Sequence, residues 1–115
     1  MPLSREFVET TKKRADASKA FRVGLLEKAA SAFVTGEPDA GREILRDYVK
    51  ATVGFEALAR QLEMTSSSLK RMLGPKGNPS SNNLAAIMEA LQRNEGIVLG
   101  VVEKRRSHQR ERELA

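Results

Sequence analysis

The stretch FEALARQLEMTSSSLKRMLGPKG, residues 55–77, decides the fold that we expect for this chain. Its apolar residues recur at helical spacing in two short runs, so each run predicts a helix with one buried face. Only about three residues separate the runs, which leaves room for a tight turn and nothing longer. The apolar positions are Leu58, Ala59, Leu62, Met64, Leu69, Met72 and Leu73. The sequence therefore predicts a helix-turn-helix unit over about residues 55–73.

The start of the second helix is marked by a hydroxyl residue. Thr65 is the expected N-cap, because its side-chain oxygen can accept a hydrogen bond from a free N–H group of the first turn. Met64 and Leu69 flank this cap at the spacing of a hydrophobic staple, which fixes how the chain enters the helix. Glu63 stands in the turn where glycine is usual, and a left-handed backbone at this position costs about 1–2 kcal/mol.

The exposed face expected for this second helix carries short polar and cationic side chains. Serine hydroxyls can bond base edges or phosphates, and lysine or arginine can bind phosphate or read guanine. A small, capped helix of this kind suits insertion into the major groove of DNA. The candidate DNA-binding residues on it are Thr65, Ser66, Ser67, Ser68, Lys70 and Arg71. The alternative is an ordinary pair of core helices whose serine-rich turn is only a solvated cap.

The sequence GPKGNPSS, residues 74–81, predicts a loop, because two glycines and two prolines in so short a stretch cannot continue a helix. Its backbone can approach a phosphate with help from Lys76 and Asn78, although its spacing is not that of a nucleotide-binding P-loop. Asn82 and Asn83 open the next helix, predicted to end at about residue 92, and can bond the DNA backbone. The alternative for the loop is a rigid connector between helices, and the alternative for Asn82 and Asn83 is a role in the capping turn.

Helical periodicity also predicts helices in the chain before this unit. They cover about residues 4–15, 18–35 and 38–53, with glycines at the breaks between the later ones. We therefore expect a single all-α domain over residues 1–102, in which a helical extension precedes the helix-turn-helix unit.

The character of the sequence changes after Gly96. The stretch IVLGVVE, residues 97–103, is rich in β-branched residues and predicts a short strand. A lone strand leaves its edges unpaired, so it needs another segment or another chain to pair with. Residues 104–115 are strongly charged and poor in apolar side chains, and we expect them to form a flexible tail.

The charge distribution favours a polyanionic partner. The net charge is +5, from 20 lysines and arginines against 15 aspartates and glutamates. The excess of basic groups lies in residues 1–28, 54–83 and 103–115, whereas the segments between them are slightly acidic. Lysine and arginine contacts to phosphate release counterions, so such clusters favour binding to nucleic acid.

The composition also excludes several classes of protein. The chain contains no cysteine, which excludes disulfides and thiolate metal sites and makes a reducing cytoplasm the expected location. No segment approaches the roughly 18 consecutive apolar residues of a membrane span. The N-terminal sequence MPLSREFVETTKK lacks the apolar core of a secretory signal. We expect a cytoplasmic protein without a membrane partner.

The chain contains few residues that suit catalysis or metal binding. His108 is the only histidine, and the serines at residues 66–68 lack a nearby general base. Acidic and basic residues alternate at ion-pair spacing in the predicted helix over residues 38–53, which indicates salt bridges rather than a cation site. The acidic residues are Asp39, Glu43 and Asp47, and the basic ones are Arg42, Arg46 and Lys50. We expect neither an enzyme nor a bound cofactor or metal.

The stretch ALARQLEMTSSSLKRMLGPKGNPSSNNLAAIMEAL, residues 57–91, resembles the lambda-repressor-like helix-turn-helix of addiction-module antidote proteins, the HigA-type antitoxins and related small regulators. The residues that match the family pattern are Leu58 and Ala59, residues 65–69, Gly77-Asn78-Pro79, and Asn83 with Leu84. The preceding GEPDAGREILRDYVKATVGFEAL also resembles the family's turn and helix, so the resemblance covers roughly residues 20–102. Glu63 and the long basic terminal segments depart from the pattern.

The resemblance implies a cytoplasmic bacterial regulator that forms a homodimer, binds a palindromic DNA operator and represses its own operon. For antitoxin members it also implies a toxin partner, commonly one that cleaves mRNA. The alternative function is a protein-interaction module that docks a partner, such as a toxin, through the strand at residues 97–103 and the basic tail. RNA binding comes third, because one tyrosine and four phenylalanines leave few stacking platforms.

Overall fold

The computed structural model of the protein describes residues 18–106, and within them the chain is all-α, as expected. The predicted helix over residues 4–15 and the tail beyond residue 106 lie outside the described residues. The helices of the described part are α1 (Lys19–Val34), α2 (Pro38–Ala51), α3 (Phe55–Gln61), α4 (Ser66–Met72) and α5 (Ser81–Glu95).

The helix boundaries follow from local sequence signals. Hydroxyl side chains cap the starts of α1, α4 and α5, and each accepts a hydrogen bond from the N–H group three residues later at 3.1 Å. These caps are Ser18, Thr65 and Ser80. Pro38 opens α2, where its missing N–H costs nothing. Gly36 and Gly96 follow α1 and α5 with φ angles of 85° and 72°, a conformation that glycine adopts without strain.

The core is built from leucine, isoleucine, valine and alanine contributed by all five helices. Its fully buried large side chains are Leu26 of α1, Leu45, Tyr48 and Val49 of α2, Leu58 of α3, Leu69 of α4, and Ile87 and Leu91 of α5, with Leu73 just after α4. Burying each such aliphatic side chain contributes roughly 1.5–3 kcal/mol, so α3 and α4 are held to the domain chiefly by this apolar contact. None of the helices within residues 18–106 combines the length and the apolar character that crossing a membrane requires.

The turn between α3 and α4 adopts the left-handed conformation expected for it. Glu63 has a φ angle of 56° and is the only non-glycine residue with positive φ in the described part of the chain. The N–H group of Met64 donates to the carbonyl of Ala59 at 3.0 Å, and that of Glu63 donates to Arg60 at 3.2 Å. These bonds satisfy the last carbonyls of α3 and hold Glu63 in place despite the steric cost of its Cβ.

Replacing Glu63 with glycine is expected to stabilise the protein by about 0.5–1 kcal/mol, because relief of the left-handed strain exceeds the entropy that glycine adds to the unfolded chain. Urea unfolding followed by circular dichroism measures the change. Glu56→Gly is the matched control, since it removes the same charge from an exposed position in the first turn of α3. This control is expected to destabilise by about 0.5–1 kcal/mol. Equal destabilisation by both changes would contradict the assignment of strain to Glu63.

The predicted strand at residues 97–103 is absent, and no strand occurs anywhere in residues 18–106. A strand needs a neighbour to complete its ladder of backbone hydrogen bonds, and the described chain offers none here. Instead, the N–H group of Leu99 donates to the side-chain oxygen of Gln92 in α5 at 2.7 Å. Ile97 and Leu99 pack against the core, whereas Val98 between them is 92% exposed. Residues 97–106 therefore lack regular secondary structure in the single chain.

Candidate nucleic-acid interface

Helix α4 is fixed to the domain along one side, which determines the face that it presents to solvent. Leu69 and Leu73 are fully buried in the core. Arg46 of α2 donates from Nη1 to the backbone carbonyl of Leu73 at 2.9 Å, which satisfies a free carbonyl just past the end of α4. The expectation that Arg46 forms salt bridges along α2 was wrong. Of the ion pairs expected on that helix, only the one between Arg42 and Asp39 forms among the described residues.

The predicted DNA-binding residues of α4 divide into two groups. Thr65 Oγ1 accepts the N–H of Ser68 at 3.1 Å and lies 2.9 Å from the Ser68 hydroxyl. These two hydroxyls therefore hold the start of the helix. Ser67 and Arg71 are exposed, while Ser66 is half-buried. The polar face that remains open to a partner is thus narrower than the sequence indicated, and Ser67 and Arg71 belong to it.

The two cations of α4 are placed differently. The Nζ atom of Lys70 lies 6.0 Å from the centre of the Phe55 ring, so its ammonium group sits against the first residue of α3. A cation over an aromatic face at this distance contributes about 0.5–1 kcal/mol at an exposed site. Arg71 makes no ion pair with any described residue, and its guanidinium is exposed. Arg71 is therefore available for a planar, bidentate contact with guanine or phosphate.

The loop after α4 is packed closely against the end of that helix. A Cβ atom on Gly77 would lie only 2.1 Å from the carbonyl oxygen of Met72 and 2.7 Å from that of Arg71. Only glycine, which has no Cβ atom, permits this approach, so the close packing of the loop requires glycine at position 77. Lys76 and Asn78 flank Gly77 and are both exposed. The structure therefore brings these two predicted phosphate contacts beside the backbone of Arg71.

Asn82 and Asn83 lie in the first turn of α5 with exposed side chains. The cap of this helix is Ser80, whose hydroxyl accepts the N–H group of Asn83. The asparagine side chains are therefore not used for capping and make no hydrogen bond with other described residues. The loop connects them to α4.

Two residues at the end of α3, Arg60 and Gln61, were not predicted from the sequence. Arg60, exposed in the last turn of α3, adds a cation close to the turn at Glu63. Gln61 and Asn94 exchange two side-chain hydrogen bonds of 2.9 Å, which tie the end of α3 to α5. Charge alone could have suggested Arg60, but no local signal links Gln61 to a residue 33 positions away.

A buried polar cluster next to this amide pair joins α1, α2 and α5. Glu95 Oε1 accepts hydrogen bonds from Arg22 Nε at 2.7 Å and from the Tyr48 hydroxyl at 2.5 Å. Burial raises the pKa of Glu95, but the bonds from Tyr48 and Arg22 outweigh it, so the pKa lies below its ordinary value. Burial and the bond to Glu95 raise the pKa of Tyr48 far above the usual range. The cluster borders an open cavity of about 420 Å³.

No group of three histidine, cysteine, aspartate or glutamate side chains within residues 18–106 is arranged to hold a metal ion. The interface consists instead of exposed hydroxyl, amide and cationic groups on rigidly held backbone, a combination that can bind phosphates and base edges. Comparisons with protein families, with curated proteins and with solved structures found no match to this chain.

Proposed function

We propose that this protein is a sequence-specific DNA-binding regulator of transcription that inserts α4 into the major groove. The observation that carries the proposal is the construction of α4, a short capped helix fixed by buried Leu69 and Leu73 with Ser67 and Arg71 open to solvent. A recognition helix needs a rigid mount and a small polar surface, and α4 has both. We propose further that the domain is a lambda-repressor-like bundle with an N-terminal helical extension.

The side chains of the interface have separate roles in this proposal. Arg71 and the serines at residues 66–68 face the bases, while Thr65 and Ser68 also fix the start of the helix. Lys70 lies beside α3, where the Phe55 ring orients its ammonium group. The proposed phosphate contacts are Lys76, Asn78, Asn82 and Asn83.

The biological setting of the proposal comes from the resemblance to antidote proteins. On that basis we propose a cytoplasmic homodimer that binds a palindromic operator and represses its own operon as the antitoxin of a type II toxin–antitoxin module. A dimer on B-DNA would place its two α4 helices about 34 Å apart, which matches half-sites one helical turn apart. The toxin partner rests on the resemblance alone.

A titration against the DNA upstream of the protein's own gene tests the central proposal. Fluorescence anisotropy is measured at low and moderate salt, with random duplex DNA as competitor. We expect binding that survives both competitor and moderate salt, because base contacts add free energy that non-specific phosphate contacts lack. Weak binding that random DNA abolishes would reduce the α3–α4 unit to a structural element of the domain.

Lys76→Ala is expected to weaken binding to operator and random DNA alike, because a phosphate contact carries no sequence information. The slope of log K against log salt concentration is expected to become shallower by about one unit. Lys28→Ala on α1 is the matched control, since it removes an exposed lysine from a helix outside the interface. A selective loss for the operator would instead assign base reading to Lys76.

A second candidate function is a protein-interaction module that uses residues 97–103 and the basic tail. Three exposed valines in this segment favour it, namely Val98, Val101 and Val102. This candidate takes first place if the operator titration shows only non-specific binding, with a toxin as the implied partner.

A further inference from the structure

The segment after α5 has one side attached to the domain and the other side apolar and exposed. Ile97 and Leu99 are partly buried against the core. Val98, Val101 and Val102 are 92%, 82% and 79% exposed. Side chains of an extended segment alternate between two faces, and the burial of residues 97–99 follows this pattern. Such a cluster of exposed β-branched residues at a free backbone edge is normally paired or covered.

The backbone hydrogen bonds of Ile97 and Leu99 show which edge faces α5, and the N–H group of Ile97 donates to the carbonyl of Gln92 at 3.0 Å. The N–H group of Leu99 points inward and donates to Gln92 of α5. Backbone groups of successive residues point to opposite sides in an extended strand, so a strand over residues 97–103 would direct those of Val98, Gly100 and Val102 away from α5. The outward edge is therefore the one available to a neighbouring strand.

We propose that residues 97–103 form a strand by antiparallel pairing with the same residues of a second copy of this chain, about a two-fold axis at Gly100. The inference gives the proposed homodimer its interface, and its biological role rests on the proposed DNA-binding function. It also explains why a sequence with strong β-propensity has no strand in the single chain, because the required neighbour is another copy.

The register follows from the free edge and the valines. With Gly100 opposite Gly100, that central pair exchanges backbone hydrogen bonds, and so do the two valine pairs formed by Val98 of one copy and Val102 of the other. Each of these pairs places two β-branched side chains on the same face, a favourable cross-strand combination. On the other face, Val101 lies opposite Leu99 of the second copy and becomes covered beside that copy's core.

The charges decide between antiparallel and parallel pairing. The valines are followed by Glu103 and then by Lys104, Arg105 and Arg106, all exposed. A parallel pair would set these cations opposite their own copies, and like charges directly opposite one another are destabilising. An antiparallel pair places the two basic runs at opposite ends of the ribbon.

The occupant is a second copy because the segment is complementary to itself. In the proposed register, valine meets valine and glycine meets glycine without any other chain. A two-stranded ribbon alone is only marginally stable in water. Here Ile97 and Leu99 anchor each strand to its own domain, so the ribbon is supported by two cores.

Cysteine cross-linking tests the register, and the full chain suits it because it contains no natural cysteine. Val98→Cys and Val102→Cys are prepared as separate variants and oxidised with oxidised glutathione, alone and as an equal mixture. Opposite Cα atoms in the proposed pair lie about 5.5 Å apart, within disulfide range. Identical positions lie about 14 Å apart, beyond it. The mixture is expected to form the mixed covalent dimer about tenfold faster than either variant forms its own dimer.

Val34→Cys is the matched control, because Val34 is also exposed, at 64%, but lies on α1. Its mixture with Val98→Cys is expected to show only background cross-linking. Equal rates in all mixtures would overturn the register. Light scattering of the full chain provides the second readout, with a dimer expected for the wild type and a monomer for Val98→Lys/Val102→Lys, whose circular dichroism should be unchanged. A monomeric wild type, or a double variant that remains dimeric, overturns the proposal.

The outcomes separate this inference from the DNA-binding function. A wild-type monomer that still binds the operator selectively removes the strand pair and leaves the DNA-binding proposal intact. A cross-linked dimer that binds operator and random DNA equally supports the strand pair and contradicts the DNA-binding proposal. A wild-type monomer whose valines are covered by a toxin-like protein also overturns the inference and supports the second candidate function.

Discussion

Replacing Glu95 with alanine is expected to lower the free energy of unfolding by about 3 kcal/mol. The Glu95 side chain is 6% exposed and accepts hydrogen bonds from both Arg22 and Tyr48. Its removal takes the acceptor away from the buried Tyr48 hydroxyl and breaks a hydrogen-bonded cluster that joins three helices, and breaking a buried polar cluster in this way costs several kcal/mol. Urea unfolding at pH 7, followed by circular dichroism, measures the loss.

The matched control for this change is Glu89→Ala on the same helix. Glu89 pairs with Arg93 at 3.4 Å, but both side chains are more than 60% exposed. Exposed pairs of this kind contribute about 0.3–0.5 kcal/mol, so the control is expected to be nearly neutral. Similar losses for both variants would show that Glu95 is no more important than a surface glutamate.

The same cluster predicts how stability depends on pH. Because folding lowers the pKa of Glu95, its contribution is present above the ordinary pKa of 4.5 and is lost as the pH falls through the folded value. Folding raises the pKa of Tyr48, so its contribution is present below the ordinary pKa of 10.0 and declines as the pH rises above that value. Unfolding titrations of the wild type and of Glu95→Ala compare the two limits. The variant is expected to lose the part of the acid dependence that Glu95 supplies.

Arg71→Ala is expected to weaken operator binding by about 1–3 kcal/mol, roughly 5- to 150-fold, and to relax the preference at one base position of each half-site. The exposed guanidinium makes no ion pair with the described residues, so removing it should leave the stability of the protein almost unchanged. Anisotropy titrations with operator duplexes substituted at single positions measure both effects.

Arg93→Ala is the matched control for Arg71. It removes another exposed arginine, from the last turn of α5, about 16 Å along that helix from Asn82. Operator affinity of this control is expected to stay within about twofold of the wild type. If Arg71→Ala weakens binding to every duplex equally, Arg71 contacts phosphate. The contacts to the bases would then come from the serines of α4.

The sequence determined those parts of the fold whose causes lie within a few residues. Thr65 and Ser80 cap their helices through the N–H group three positions later, and such bonds depend only on local spacing. Glu63 adopts a left-handed conformation because the residues around it require a tight turn. The two-run apolar pattern of residues 55–73 likewise contained the information that α3 and α4 need to bury one face each.

Only the tertiary structure decided which polar groups are engaged and which remain open. Arg46 bonds a carbonyl 27 residues away, and Arg22 and Tyr48 reach Glu95 across 73 and 47 residues. Contacts at such separations depend on how the helices pack, which periodicity does not encode. The strand at residues 97–103 was wrongly predicted for the single chain for a related reason. β-Propensity describes side chains that fit a sheet, but a strand forms only where the fold supplies a neighbouring edge.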